Sequence, residues 1–217
     1  MLARAHTRLH RIDDAHLELL RALELYRAAG DRIGQSHTYL NLSLMRERQG
    51  RYPQALENAR QALRGFRAAG DAHGLTRALN AVGWYHALLG EYEPALGYCR
   101  QALARLQEFG DRAVQATTLD SIGYAHHHLG EQARAVAAFS QAIGIYRDLG
   151  DRHLEAFVLT HLGDAYDAAG QAHAARAVWR RALGTLERLD PPEAEKVRGR
   201  LALQSRFSRR PNVDASM

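Results

Sequence analysis

The dipeptide Gly-Asp occurs at Gly30-Asp31 and returns at Gly70-Asp71, Gly110-Asp111 and Gly150-Asp151. The interval is 40 residues, and a further glycine lies at the middle of each one, at Gly50, Gly90, Gly130 and Gly170. Self-similarity at a fixed period of this size is typical of proteins built from stacked repeats. The sequence therefore predicts four full repeated units, at 31–70, 71–110, 111–150 and 151–190.

Each unit divides into two halves that read as helices. The halves contain no proline except Pro53 and Pro94, which closely follow a mid-unit glycine. Proline is tolerated in the first turn of a helix because the N–H group there has no helical acceptor. Glycine ends helices in the left-handed conformation, and aspartate caps the start of the next helix. One unit is therefore predicted to be two antiparallel helices joined by a tight turn.

Equivalent positions of the units carry the same kind of side chain. We call a set of equivalent positions, one from each unit, a column. Small residues form one column in the first helices and another in the second helices, which allows the backbones of the two helices to approach closely. A third column predicts core positions and includes the single cysteine, which we expect to be a buried apolar residue rather than a reactive thiol. The columns are Ser43, Gly83, Gly123 and Gly163; Ala55, Ala95, Ala135 and Ala175; and Ala59, Cys99, Phe139 and Trp179.

These columns resemble those of the tetratricopeptide repeat, a helix-turn-helix unit of about 34 residues. The resemblance covers residues 1–190 and implies an all-α, right-handed α-solenoid of helix-turn-helix repeats with a C-terminal capping helix. Two features depart from the family pattern: the unit is 40 residues long, and its closing proline is absent. The tyrosine column of the family reads Arg46, His86, His126 and Tyr166, so only the last unit keeps the tyrosine.

The two ends of the sequence depart from the regular period. Residues 11–30 fit the second helix of a unit, but only ten residues precede them, so the chain begins within a partial repeat, 1–30. We expect that the sequence is a fragment, that its true start lies upstream, or that a partner covers this edge, for example in a homodimer. Residues of about 192–204 predict a capping helix that completes a single array, 1–204, and 205–217 predict a disordered tail.

A more specific resemblance rests on the segment Ser121-Ile-Gly-Tyr-Ala-His-His-His-Leu-Gly130 and on Leu189-Asp190-Pro191 followed by Glu195-Lys196-Val197-Arg198. These segments resemble the C-terminal repeats of large actinobacterial transcriptional regulators of the antibiotic regulatory type. In those proteins a DNA-binding domain and an NB-ARC domain precede the array. The resemblance implies a sensor or partner-binding role, and it does not extend to DNA or nucleotide binding because neither domain is in this sequence.

In the tetratricopeptide family the first helix of each unit lines the concave face, which makes this groove the predicted binding site. Aromatic side chains flanked by Asn, Arg and Asp suit recognition of an extended peptide or a helix. Trp84 and Tyr124 share one column and are the predicted anchors, unless Trp84 packs between the helices. The Lys/Asn/Arg clamp that some family members use for a terminal carboxylate is absent. The predicted groove residues are Leu40, Asn41, Leu44, Glu47, Arg77, Asn80, Trp84, Leu88, Asp120, Tyr124, His127, His128, Phe157, Thr160, His161, Asp164 and Asp167.

Two other functions remain open at this point. A metal-binding or enzyme-associated module would use the region of His127, His128, His161 and Asp164, although consecutive helical histidines point about 100° apart and cannot share one metal. A nucleic-acid binder would use Arg46, Arg48, Arg51 and the tail. Residues 31–70 carry a net charge of +4, but each of the next three units sums to −1, whereas a nucleic-acid groove needs basic residues along its length.

Other site types are not expected. The sequence contains no phosphate-binding loop, no H-E-x-x-H and no G-x-S-x-G, so we predict no enzyme activity, no cofactor and no metal. No stretch has the length and apolar character of a membrane span, and no signal peptide opens the chain. The sequence therefore predicts a cytoplasmic protein that binds a protein or peptide, without direct contact with nucleic acid.

Overall fold

The chain is described here from a computed structural model, which describes the backbone of residues 2–207 and the side chains of residues 15–106 and 110–204. This part of the chain forms ten helices and no strand, which confirms the predicted all-α fold. Most pairs of helices that follow each other in the described part of the chain pack against each other. The helices are α1 (Leu2–Ala28), α2 (Arg32–Arg48), α3 (Tyr52–Ala69), α4 (Ala72–Leu88), α5 (Tyr92–Phe109), α6 (Arg112–His128), α7 (Gln132–Leu149), α8 (Arg152–Ala168), α9 (Ala172–Leu189) and α10 (Pro191–Phe207).

The turns between helices have the chemistry that the Gly-Asp repeat predicts. All eight turn glycines have φ between 68° and 81°, the left-handed region that side chains with a Cβ rarely adopt. The aspartate that follows accepts a hydrogen bond from the backbone N–H three residues on, at 2.8 to 3.0 Å, in each of the four Gly-Asp turns. These caps fix where α2, α4, α6 and α8 begin.

Small residues of one helix pack against larger residues of the next, as the columns predict. A Cβ added at Gly83 would lie 2.5 Å from the Cys99 sulfur, and one added at Gly123 would lie 2.6 Å from the Phe139 ring. Cys99 is fully buried, and burial raises the pKa of its thiol to about 12, which confirms that it is an apolar core residue. Close helix packing therefore depends on the glycine column.

The chain divides into two compact units, which are described separately: unit 1 is residues 1–121 and unit 2 is residues 122–217. The core of unit 1 contains the buried side chains of Phe66, Leu79, Val82 and Tyr85. In unit 2 the predicted core residue Trp179 is 2% exposed, and its indole N–H donates to the backbone carbonyl of Thr160 at 3.2 Å. The prediction that Trp179 is a core residue is therefore confirmed.

The helices differ from the sequence prediction at both ends of the described chain. We predicted a helix boundary near residue 10, but α1 is continuous from Leu2 to Ala28. Residues 2–28 contain neither glycine nor proline, so nothing in the sequence ends the helix there. Helix α10 continues to Phe207, three residues beyond the predicted cap, and the rest of the predicted disordered tail lies outside the described residues. None of the helices described is long and apolar enough to cross a membrane.

Candidate partner-binding surfaces

The predicted groove residues of unit 1 lie on the first helix of successive helix pairs. We call the set on α2 and α4, with Asp120 of α6, the α2–α4 surface. Asn41, Leu44 and Arg77 are exposed, and Leu44 keeps 46% of its surface accessible. The partly buried members are Leu40, Glu47, Asn80, Trp84, Leu88 and Asp120.

Glu47 joins α2 to α4 through both of its carboxylate oxygens. Its Oε1 accepts a hydrogen bond from the Trp84 indole N–H at 3.0 Å, and its Oε2 accepts one from the Tyr85 hydroxyl at 3.1 Å. The Tyr85 hydroxyl also lies 3.2 Å from the Ser43 hydroxyl. Burial, and then the negative charge of Glu47, raise the pKa of Tyr85, so its hydroxyl keeps its proton and remains a donor. Glu47 therefore holds the Trp84 ring in place on the α2–α4 surface.

Trp84 is more enclosed than an exposed anchor would be. Its ring is partly buried and packs against the apolar core of unit 1. The reason is its place on α4, directly before Tyr85, where the indole reaches back to Glu47 on α2. Of the two possibilities left open for Trp84, the structure favours packing between the helices, and part of the ring remains accessible on the α2–α4 surface.

The predicted groove residues of unit 2 lie on α6 and α8, and we call them the α6–α8 surface. Tyr124 contacts His128, with ring centroids 4.4 Å apart and ring planes inclined at 56°, and it meets His161 edge-on at 5.7 Å. Phe157 contacts His161 at 4.9 Å, and His127 contacts His128 at 5.0 Å. The structure thus brings these five rings together. Tyr124 contacts rings on both sides, so it is part of a cluster rather than a lone anchor.

Two electrostatic features accompany this ring cluster. Burial is the largest cause that lowers the pKa of His128, followed by the charges of His127 and His161, while the carboxylate of Asp164 acts in the opposite direction. His127 is held by Gln132, whose side-chain oxygen lies 2.9 Å from Nδ1 and whose amide donates to the His127 carbonyl at 3.1 Å. The cluster therefore favours the neutral form of the His128 imidazole.

Thr160 does not belong to the accessible surface. It is 1% exposed, and its hydroxyl donates to the backbone carbonyl of Phe157 at 2.6 Å. The hydroxyl satisfies a carbonyl of its own helix, which allows the side chain to face the core. The prediction that Thr160 contacts a partner is therefore wrong.

Helix α10 contacts the two aspartates at the end of the α6–α8 surface. The guanidinium of Arg200 binds both oxygens of Asp164, with Nε–Oδ1 at 2.7 Å and a second N–O contact at 2.9 Å. Gln204 donates its amide to Asp167. Both aspartates therefore already have partners on α10. Beside them lies a cavity of about 440 Å³.

Sequence reasoning missed Tyr85, Arg200 and Gln204. Each is bonded to a groove residue 36 to 38 positions earlier, as in Glu47–Tyr85, Asp164–Arg200 and Asp167–Gln204. This separation is close to the repeat length, so searching for polar pairs one repeat apart could have found these bonds. A comparison of equivalent positions along a column does not detect these pairs, because the two bonded residues belong to different columns.

The structure also bears on the two alternative sites. No group of three or more His, Cys, Asp or Glu side chains in the described part of the chain could hold a metal ion. Arg46 of the proposed nucleic-acid site donates to Gln49 at 3.0 Å and lies 3.2 Å from His16 Nε2, while Arg48 and Arg51 are exposed. Most of the tail that would extend this site lies outside the described residues.

Comparisons with known proteins agree with the fold. The model of the tetratricopeptide repeat matches residues 1–68, 34–108 and 86–148. Curated proteins give no match to the chain. The crystal structure of BtubC (BKLC) from P. vanneervenii is similar at 22% identity and a TM-score of 0.66, covering 100% of this chain and 82% of that one.

Two further solved structures are similar over most of this chain. A Rap protein complexed with competence and sporulation factor has 13% identity and a TM-score of 0.75, covering 86% of this chain and 52% of its own. A STAND protein with a tetratricopeptide repeat sensor, PH0952 from Pyrococcus horikoshii, has 18% identity and a TM-score of 0.68, covering 97% of this chain and 33% of its own. This chain thus matches only part of either protein, and identities this low support the fold alone.

Proposed function

The chain belongs to the tetratricopeptide repeat family, and we propose that it is a scaffold or sensor module that binds a protein or peptide segment. The binding sites are the α2–α4 surface and the α6–α8 surface. The proposed array is 1–204, with repeats 31–70, 71–110, 111–150 and 151–190 after the partial repeat 1–30. The proposal includes a non-catalytic role, a cytoplasmic location and an origin in a bacterial transcriptional regulator.

The observation that carries the proposal is the composition of the α2–α4 surface. Exposed Asn41, Leu44 and Arg77 lie on the same helices as the accessible part of Trp84, which Glu47 holds in place. A rigid aromatic side chain surrounded by hydrogen-bonding groups is typical of protein interaction sites, because it loses little conformational entropy on binding. The Rap protein in complex with competence and sporulation factor, and the tetratricopeptide repeat sensor of the STAND protein, support such a role.

The test is a capture experiment followed by a measurement with defined variants. The chain is immobilised, partners are captured from a lysate of the native organism, and the bound segment is mapped and prepared as a labelled peptide. We expect Arg77→Glu to weaken binding of that peptide at least tenfold, because it reverses a charge on the α2–α4 surface. Arg100→Glu makes the same charge change at an exposed position of α5, outside both surfaces. Equal binding by the two variants would contradict the proposed site in unit 1.

A further inference from the structure

The cavity beside α8 and α10 combines a charged end with an apolar rim. Its polar lining includes Asp164, Asp167, Arg200 and Gln204, and its apolar lining includes Ala168 and Leu203. Leu203 is 57% exposed and Ala168 is exposed, so the rim is accessible from solvent. The volume of about 440 Å³ is sufficient for one long side chain. All of these residues belong to unit 2.

The two carboxylates that line the cavity differ in their partners. Arg200 forms a two-bond ion pair with Asp164, which neutralises that carboxylate. Lys196 pairs with Glu193 at 2.7 Å. Asp167 differs from these groups because it accepts a hydrogen bond from Gln204, a neutral amide. Among the described residues that line this cavity, Asp167 is therefore the carboxylate that contacts no arginine or lysine, and His127 is the remaining titratable side chain of the lining.

The geometry of the rim restricts which cation fits. A lysine or arginine side chain has an aliphatic stem that favours apolar surface and a charged head that favours a carboxylate. Ala168 and Leu203 supply apolar surface, and Asp167 supplies the carboxylate at the same cavity. A small inorganic cation would leave the apolar rim uncovered.

We propose that this cavity binds a lysine or arginine side chain of the partner segment, with the charged head at Asp167 and the stem against Ala168 and Leu203. The inference rests on the proposed function and specifies the chemistry of the partner at the end of the α6–α8 surface. The head displaces the Gln204 amide from Asp167, exchanging a neutral hydrogen bond for a charge-assisted one. Arg200 stays on Asp164, so the two guanidinium groups do not compete for one carboxylate.

The probes for this site are N-acetyl-arginine amide and its neutral isostere N-acetyl-citrulline amide. Each is titrated into the ¹⁵N-labelled full chain while backbone amide shifts are followed by NMR. We expect the arginine derivative to shift amides of residues 164–168 and 200–204, and the citrulline derivative to bind at least about fivefold more weakly. Equal binding of the two probes, or arginine-induced shifts confined to other residues, would overturn the proposal.

Three variants distinguish the effect of the Asp167 charge on arginine binding from the effect of removing a charge elsewhere on the protein. Asp167→Asn keeps an oxygen for Gln204 and removes the charge, so we expect arginine binding to weaken about fivefold or more. Asp148→Asn removes one charge from an exposed position of α7, outside the cavity, and is expected to have no effect. Gln204→Ala removes the competing amide, and arginine binding is expected to become tighter. Equal affinities of the two asparagine variants, or weaker binding by Gln204→Ala, would contradict the proposal.

The outcome of this experiment is independent of the outcome of the test of the proposed function. If the chain binds its partner peptide through Arg77 but Asp167→Asn leaves affinity for arginine unchanged, only the cation site is wrong. If Asp167→Asn weakens arginine binding while Arg77→Glu leaves the partner's affinity unchanged, the cation site stands and the site proposed in unit 1 is wrong.

Discussion

The Trp84 indole on α4 donates its N–H to Oε1 of Glu47 on α2 at 3.0 Å, while Tyr85 donates to the other oxygen of the same carboxylate at 3.1 Å. One side chain of α2 thereby holds two successive aromatic residues of α4. Tyr85 is 3% exposed and Trp84 is partly buried, so the pair joins the core of unit 1 to its candidate binding surface. Changes at Trp84 are therefore expected to affect stability as well as binding.

The two tryptophans are expected to differ in their contribution to stability. Truncating buried Trp179 to Ala should lower the free energy of unfolding by about 3–5 kcal/mol, through lost burial and a cavity. Truncating partly buried Trp84 to Ala should cost about 2 kcal/mol, since less apolar surface is lost and Glu47 loses one donor. Urea denaturation of both variants measures the difference. A cost near half a kcal/mol for Trp84→Ala, typical of a surface side chain, would show that its contacts with α2 and the core are unimportant.

Two helical glycines of unit 2, Gly163 on α8 and Gly184 on α9, offer a matched pair of substitutions. A Cβ at Gly163 would overlap the Trp179 indole, whereas nothing lies within 4 Å of a Cβ at Gly184. We expect Gly163→Ala to destabilise the fold by about 1–3 kcal/mol through overpacking. We expect Gly184→Ala in α9 to stabilise it by about 0.5–1 kcal/mol, because alanine favours helix over the unfolded chain. The midpoints of urea denaturation should therefore shift in opposite directions for the two variants. Equal shifts in the same direction would contradict the packing described.

The periodicity predicted much of the fold because equivalent residues of each repeat have the same local structure and pack in the same way. Gly70 and Asp71 end one helix and cap the next by local geometry, which depends only on neighbouring residues. The pairing of a glycine with a large residue, as between Gly123 and Phe139, was also readable because both belong to regular columns. The continuous helix α1 was not predicted because the repeat pattern was extended over a segment that contains no helix-ending residue.

The candidate site was predicted less completely because its side chains interact across helices. Column position correctly placed Asn41 and Arg77 on accessible helix faces. It could not show that Glu47 bonds Trp84, or that Arg200 binds Asp164, because such bonds depend on the rotamers of two long side chains on different helices. Column position also could not show that Trp84 is partly buried or that Thr160 is buried.

The ring cluster of unit 2 predicts a response to acid. Burial, with His127 and His161, lowers the pKa of His128 in the folded chain, so the unfolded chain binds this proton more readily. Stability should therefore fall as pH drops below the ordinary imidazole value of about 6.5 and should not depend on His128 above it. We expect His128→Asn to reduce this loss, while His173→Asn, at an exposed position of α9, leaves it unchanged. An NMR titration midpoint for His128 above that in the unfolded chain would contradict the sign.

The exposed leucines of α1 lead to a prediction about the N-terminal edge. Leu17, Leu20 and Leu25 are 53%, 38% and 71% exposed. In a monomer we expect faster amide exchange over residues 1–25 than over 80–180, because these three leucines leave apolar surface of the helix exposed to water. The alternative is a homodimer that covers the leucines. Hydrogen exchange and sedimentation are measured on the same sample, and uniform protection in a demonstrated monomer would exclude both outcomes.

The central claim is that the chain binds a partner through the α2–α4 surface and the α6–α8 surface. Site-specific photo-crosslinking tests this claim most directly. Leu44 on the α2–α4 surface and Leu149 at the end of α7 are both 46% exposed, so a benzoylphenylalanine at either position is equally accessible. Each variant is irradiated in a lysate of the native organism, and products are identified by mass spectrometry. We predict that the probe at Leu44 forms a partner adduct that excess unlabelled chain suppresses, and that the probe at Leu149 does not. An adduct at Leu149 with none at Leu44 would contradict the claim.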